Sequence, residues 1–161
     1  MITQKEGVLP SSGIRITHKG VFDINSIYSD VKDWFKNYRY EYAEKEYAIK
    51  EKANGKEIVI KMEAHRNIDD YARFVIQIVF DFEKAVKVNE GFRGEGKITF
   101  NAHVLLDYKN KWQNNKFNKF IFFIYNNYII KRKIKDVYGD KLYAEVTDVY
   151  DLVKNKLGLT K

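Results

Sequence analysis

The chain has 161 residues, of which 45% are apolar and 16% aromatic, and its formal charge at pH 7 is +7. A chain of this length and composition buries about 70% of its unfolded surface as one globular domain. The absence of cysteine excludes disulfide bonds, thiolate metal sites and thiol nucleophiles, and it fits the cytoplasm, which is the predicted location. The longest apolar run, Phe120 to Tyr125, is far shorter than the roughly 20 residues of a membrane-spanning helix.

Residues 1–12 are predicted to form a flexible N-terminal tail. They contain the only proline of the chain and show little periodicity. They also lack the basic start, apolar core and small-residue cleavage site of a secretory signal. No linker or internal repeat follows, so residues 13–161 are predicted to form a single α+β domain.

The domain is predicted to begin with a strand and a helix. Ile14 and Ile16 alternate with polar residues, which predicts a strand over Gly13 to Phe22. Asp23 or Asn25 can then cap a helix that runs to Asn37. Its apolar residues recur at three- and four-residue steps and form one face: Ile24, Ile27, Val31, Trp34, Phe35 and Tyr38.

Between Tyr38 and Tyr108 the apolar pattern has a period of two, which predicts consecutive antiparallel strands. Asn54-Gly55 favours a tight hairpin within this region. One face of the sheet is apolar and requires a cover. The predicted fold class is therefore α+β, with one antiparallel β-sheet of about five strands and one face covered by the N-terminal helix and two C-terminal helices. The inward side chains are predicted to be Ile58, Ile60, Met62, Ala64, Phe74, Ile76, Ile78, Phe80, Phe82, Ile98, Phe100, Ala102, Val104, Leu106 and Tyr108.

The first C-terminal helix is predicted to start at Lys116. On a helical wheel Phe117, Phe120, Ile121, Ile124, Tyr125 and Tyr128 share one broad face, which is expected to pack inward. Lys119, Asn126 and Lys133 lie on the opposite, polar side. The alternative for residues 116–135 is a hairpin that turns at Asn126-Asn127. Gly139 is expected to end the first helix and Asp140 to cap a second. The buried face of that last helix is predicted to be Leu142, Val146, Val149, Val153 and Leu157.

Motifs for catalysis or metal binding are weak in this sequence. The glycine-rich stretch Gly91 to Ile98 lacks the Ser or Thr and the following helix of a phosphate-binding loop, so it is assigned to a hairpin. His18, His65 and His103 fall on separate predicted strands without metal-ligand spacing. Acidic pairs lie at turns or on the outer face of the sheet. The sequence therefore favours a binding protein over an enzyme, and no catalytic residue, metal or cofactor is predicted.

The order of elements resembles the helix-grip superfamily of START-like ligand-binding domains. The matching layout is a strand (Gly13 to Phe22), a helix (Asp23 to Asn37), antiparallel strands (Tyr38 to Tyr108) and a closing helix (Lys141 to Leu157). The resemblance implies a curved sheet that wraps the last helix and leaves an apolar cavity for a lipid-like or aromatic ligand. That family has six strands after its first helix, where this chain has four or five, and the chain adds an apolar helix before the closing one.

The first functional hypothesis is a non-enzymatic binding domain with a small apolar ligand. Its pocket is predicted to lie between the sheet and the C-terminal helices. Seven apolar side chains are predicted to line it: Phe74, Ile76, Phe80, Phe100, Val104, Ile121 and Ile124.

The second hypothesis is an electrostatic surface for nucleic acid or an anionic membrane. Residues 109–135 contain eight basic residues and no Asp or Glu, while the other 21 Lys and Arg residues are balanced by 22 acidic ones. The predicted basic surface consists of Lys109, Lys111, Lys116, Lys119, Lys131, Arg132, Lys133 and Lys135.

The third hypothesis is self-association through an apolar flank of the first C-terminal helix. Four apolar residues fall outside the face that is predicted to pack inward, and their exposure would favour a homo-oligomer. They are Phe122, Phe123, Ile129 and Ile130.

Overall fold

The computed structural model describes residues 4–112 and 115–159. It confirms the α+β fold class, with one antiparallel sheet packed against helices. The sheet has six strands where about five were predicted. They are β1 (Gln4–Gly7), β2 (Ile14–Phe22), β3 (Glu41–Lys52), β4 (Gly55–Asn67), β5 (Ala72–Lys87) and β6 (Phe92–Leu106).

The additional strand, β1, comes from the segment that was predicted to be a flexible tail. Gln4 to Gly7 pair with Leu106 to His103 of β6. Further along the same edge of β6, β2 pairs from Ile14 opposite Phe100 to Phe22 opposite Phe92. The two short strands therefore lie end to end beside β6. The rest of the sheet follows in the order β6, β5, β4 and β3, and every pairing is antiparallel.

Alternation along the long strands places one apolar face of the sheet in the core. Fourteen of the fifteen residues predicted to point inward lie on β4, β5 and β6 and are buried, which confirms that part of the prediction. The exception is Tyr108, which follows the end of β6 and is only partly buried. On β3 the pairing shifts between Glu44 and Glu46, so a bulge interrupts a single strand.

The helical segments are α1 (Ile24–Asn37), α2 (Lys116–Ile124), α3 (Lys131–Lys133) and α4 (Asp140–Lys156). The carboxylate of Asp23 caps α1 by accepting hydrogen bonds from the backbone N–H groups of Asn25 and Ser26, each at 3.1 Å. The predicted apolar faces of α1 and α4 are confirmed, since Val31 and Phe35 on one helix and Val146 and Val149 on the other are fully buried. These two helices cover the apolar face of the sheet.

The C-terminal third is a helical path with a bend at Ile130, where φ is −108° and ψ is 4°, rather than two helices separated at Gly139. Wider π-helical turns at Tyr125–Ile129 and Ile134–Gly139 connect α2, α3 and α4. Gly139 was expected to end a helix, but it has a φ of −64° and Asp140 has a φ of −65°, both helical values. The chain therefore passes through Gly139 into α4 without a break, and residues 116–135 do not form a hairpin.

A polar cluster fixes α4 against the sheet and α1. The Arg66 guanidinium donates to Oε1 of Glu145 at 2.7 Å, and the hydroxyl of Tyr40 donates to Oε2 of the same carboxylate at 2.5 Å. Burial and the contact with Glu145 raise the pKa of Tyr40, which keeps the hydroxyl protonated as the donor. A further link from the indole N–H of Trp34 to Asp148 joins α1 to α4 at 2.7 Å. Sequence pattern gave no signal for this cluster.

We predict that Arg66→Met destabilises the domain by on the order of 3 kcal/mol, because it leaves the Glu145 carboxylate without its charge partner in a nearly buried position. The side chains of Arg66 and Glu145 are only 16% and 10% exposed. Urea unfolding followed by the fluorescence of buried Trp34 measures the change.

The matched control is Lys61→Met, which removes an ion pair with Glu46 on the open face of the sheet, where the two side chains are 49% and 41% exposed. We expect an effect below about 1 kcal/mol there. Equal effects of the two substitutions would show that the Arg66 cluster does not hold α4 in place.

Candidate functional site

Helix α2 lies on the surface of the domain. It begins at a capped turn, where the side chain of Asn115 accepts a hydrogen bond from the backbone N–H of Asn118 at 2.8 Å. Among its nine residues only Phe122 is buried. The path beyond α2 packs more closely, because Ile130 and Ile134 belong to the hydrophobic core.

The inward stripe of this helical path has a spacing of four residues. In a regular α-helix, residues four apart drift by about 40° around the axis, so a long stripe of this spacing would rotate away from the domain. The π-helical turns hold more residues per turn and keep the stripe on the inner side. Its members are Phe122, Asn126, Ile130, Ile134 and Tyr138.

Asn126 is the polar residue in that stripe and is only 2% exposed. Its Oδ1 accepts a hydrogen bond from the hydroxyl of Tyr71, and its Nδ2 donates to Oε1 of Gln4 at 2.8 Å. Burial raises the pKa of Tyr71, an effect that the bond to Asn126 offsets only in part, so the hydroxyl remains a donor. We call Gln4, Tyr71 and Asn126 the amide clamp. It joins the helical path to β1 and to the turn before β5.

A second anchor lies farther along the path. The hydroxyl of Tyr138 donates to the carboxylate of Asp69 in the turn between β4 and β5. Burial acts to raise the pKa of Asp69, but the hydrogen bonds from Tyr138 and from the backbone N–H groups of Ala72 and Tyr71 outweigh it and lower the pKa. Asp69 is therefore an ionised acceptor at neutral pH.

These anchors leave the apolar side of α2 facing solvent. Phe117, Phe120 and Phe123 are 69%, 60% and 58% exposed. The sequence prediction that the face with Phe117 and Phe120 packs inward is wrong, because Phe122, on another side of the helix, contacts the ring of Tyr71 instead. We call the exposed side chains of this helix the α2 surface: Lys116, Phe117, Lys119, Phe120, Ile121 and Phe123.

The eight basic residues predicted as a surface divide into two groups. Lys109 and Lys111 lie against the carboxylate of Asp70, and Arg132 lies 3.2 Å from Asp136. The second group comprises the five remaining lysines, and no carboxylate of residues 4–112 and 115–159 lies within 4 Å of their ammonium groups. These exposed lysines are Lys116, Lys119, Lys131, Lys133 and Lys135.

A cavity of about 400 Å³ separates the helical path from the edge of the sheet. Val8, Val104, Ile134 and Tyr143 supply apolar walls. Both π-helical turns border it, and so do β1 and the start of α4. The remaining lining residues are Gln4, Glu6, Gly7, Asn126, Asn127, Lys131, Lys135, Gly139 and Asp140.

The seven side chains predicted to line a pocket do not meet in one place. Val104 lines the cavity beside β1, whereas Ile121 and Ile124 lie on α2, outside the main core. The physical reason is that α4, rather than α2, covers the centre of the sheet. The other four are fully buried in the core shared with α1 and α4: Phe74, Ile76, Phe80 and Phe100.

The apolar flank predicted for self-association is also divided. Phe122 and Ile130 face the domain and are buried, while Phe123 and Ile129 face solvent. The four residues therefore do not form one exposed patch, because the wider turns change which positions share a face.

The histidines remain on separate strands. His65 and His103 lie opposite the same residue, Val75, from its two neighbouring strands, while His18 pairs with Gly96 near the other end of β6. Within the described ranges, the carboxylates of Glu57, Asp81 and Glu83 lie close together, and Lys52 contacts Glu57 at 2.8 Å.

No protein-family model, curated protein or solved structure matches this chain. None of the helices in residues 4–112 and 115–159 combines the length and apolar composition that crossing a bilayer requires.

Sequence reasoning did not find the amide clamp. Gln4 lies in the segment assigned to a tail, and Asn126 was placed on the polar side of the wheel or at the tip of a hairpin. The available signal was the asparagine itself, since an amide within a strongly apolar helix needs a partner if it is buried.

We predict that Asn126→Ala destabilises the helical path by about 1–3 kcal/mol, because the Tyr71 hydroxyl and the Gln4 amide lose their buried partner. Limited trypsin digestion should then cut faster at Lys131, Arg132 and Lys133, and urea unfolding gives the change in stability. The control is Asn127→Ala, whose amide donates to the backbone oxygen of Phe123 within the same helical path. If both variants resist trypsin equally well, the clamp does not hold the path to the sheet.

Proposed function

We propose that the protein binds anionic membrane surfaces reversibly through the α2 surface. The observation that carries the proposal is the exposure of three phenylalanines on one short helix that also carries two lysines, neither of which meets a carboxylate of residues 4–112 or 115–159. Helices that bind in the plane of a bilayer insert apolar side chains among the headgroups and present Lys or Arg to anionic lipids.

The apolar part of the α2 surface supplies the insertion energy. Full burial of a phenylalanine side chain contributes about 1.5–3 kcal/mol. Phe117, Phe120 and Phe123 are each more than half exposed and lie within seven residues. An exposed apolar group of this kind typically marks an interaction site.

The basic residues of the helical path favour a partner with a negatively charged surface. Each lysine near an anionic bilayer contributes about 1 kcal/mol. Lys116 and Lys119 lie among the phenylalanines, and Lys131, Lys133 and Lys135 follow along the same helical path. The segment 109–135 contains no acidic residue that would weaken the attraction.

Charge also argues against a second copy of the chain as the partner. Two such surfaces face to face would bring lysines together without acidic partners. Single-stranded nucleic acid is usually held in a basic groove whose aromatic rings stack on the bases. The α2 surface is instead the outer side of a helix with a single buried residue, and it includes aliphatic Ile121, which suits insertion among lipid chains better than stacking.

The test is sedimentation of the protein with vesicles of phosphatidylcholine alone and of equal parts phosphatidylcholine and phosphatidylglycerol. We predict binding to the anionic vesicles. Lys116→Gln with Lys119→Gln should weaken it roughly thirtyfold at low salt, since two charges contribute about 2 kcal/mol. Phe120→Ser with Phe123→Ser should weaken it at every salt concentration, because insertion of an apolar side chain is not screened.

Matched controls come from the opposite edge of the sheet and from β5. Ile49→Ser removes an exposed apolar side chain of β3, and Lys50→Gln with Lys87→Gln removes two exposed charges. These variants should bind as the wild type does. Equal binding to neutral vesicles, equal losses in the controls, or binding to a single-stranded oligonucleotide in place of vesicles would contradict the proposal.

A further inference from the structure

The cavity between β1 and the helical path is distinct from the α2 surface and has the size of a ligand site. Its volume of about 400 Å³ falls within the usual range for small-molecule pockets, about 300–1,000 Å³. Val8 and Val104 form the side of the sheet, and Ile134 and Tyr143 form the side of the helices. The main part of the cavity is therefore apolar, and its walls come from two separate parts of the chain.

Two of the helical segments that border the cavity are π-helical rather than regular α-helical. The π-helical turn 125–129 contributes Asn126 and Asn127, and the turn 134–139 contributes Ile134, Lys135 and Gly139. Such turns are rare and occur frequently at functional sites. The absence of a side chain at Gly139 keeps this wall open, because a Cβ built there would lie tightly against the backbone oxygen of Ile134, at 3.3 Å, and 3.9 Å from Val8 across the cavity.

The polar groups at the cavity are of two kinds. The Asn126 amide and the Gln4 side chain bind each other, and Gln4 also donates to Glu6 at 2.7 Å, so these groups are already satisfied. Lys131 and Lys135 are one turn apart, exposed, and more than 4 Å from any carboxylate of the described residues. Glu6 and Asp140 also line the cavity, so its lining carries two acidic and two basic side chains. Glu6 accepts the hydrogen bond from Gln4, whereas Lys131 and Lys135 lie together on one side of the cavity.

We infer that this cavity binds a single-chain amphiphile with an anionic head, the chain against Val8, Val104 and Ile134 and the head at Lys131 and Lys135. An apolar enclosure with a small number of charged groups at its mouth is the usual form of such a site. The inference does not depend on membrane binding by the α2 surface.

The experiment is titration of the full chain with decyl phosphate, below its micellar concentration and without vesicles, by isothermal calorimetry. We expect saturable one-to-one binding. Gly139→Leu keeps a backbone conformation that any residue adopts and places a side chain toward Val8, so it should weaken binding at least about tenfold. Gly139→Ala is the matched control and should bind as the wild type does.

Two further variants separate the cavity from the α2 surface. Lys131→Gln with Lys135→Gln should weaken binding of decyl phosphate roughly tenfold and leave binding of decanol unchanged, because only the head loses its partners. Phe120→Ser with Phe123→Ser should leave decyl phosphate binding intact even where vesicle binding is lost. Wild-type affinity in Gly139→Leu, unsaturable binding, or loss of binding in the Phe120 and Phe123 variant would overturn the inference.

Discussion

The orientation of the C-terminal helical path depends on one buried amide. The chain from Phe120 to Tyr125 is apolar almost all round, so hydrophobic burial alone does not decide which side meets the sheet. Asn126 decides it, because its amide is buried between Tyr71 and Gln4 and an unpaired amide there would cost about 1–3 kcal/mol. Once Asn126 and Phe122 face inward, the phenylalanines on the other sides of α2 face solvent.

That constraint connects the two functional proposals. The π-helical turns that keep Asn126, Ile134 and Tyr138 on the inner side also border the cavity beside Val104. The same path carries the lysines that make its outer side basic. The sheet and α4 form a closed core instead. The ion pair between Arg66 of β4 and Glu145 of α4 fixes α4 to the sheet. The domain thus separates a closed core from the edge that carries both proposed binding sites.

The scaffold could be predicted from sequence because its patterns are unambiguous. From Phe74 to Phe82 every second residue is a large apolar one, and the apolar residues of Ile24 to Phe35 and of Leu142 to Val153 repeat at helical steps, so the buried faces follow directly. The short strand β1 was missed because four residues without apolar alternation show no strand signal, and their pairing with β6 arises only in the folded sheet. The face of α2 was predicted wrongly because apolar residues on every side of a helix leave no amphipathic direction. The Asn126 contacts are tertiary and span more than fifty residues, beyond the reach of a local pattern.

Thiol labelling measures the orientation of α2 most directly, since the natural chain has no cysteine to interfere. Single variants Phe117→Cys, Phe120→Cys, Phe122→Cys and Phe123→Cys would be reacted with a soluble maleimide under native conditions. The amide clamp predicts rapid labelling at positions 117, 120 and 123 and labelling at least roughly tenfold slower at position 122, where reaction requires local opening. Rapid labelling at position 122 together with protection at positions 117 and 120 would contradict the account, because the helix would then present its opposite side to the sheet.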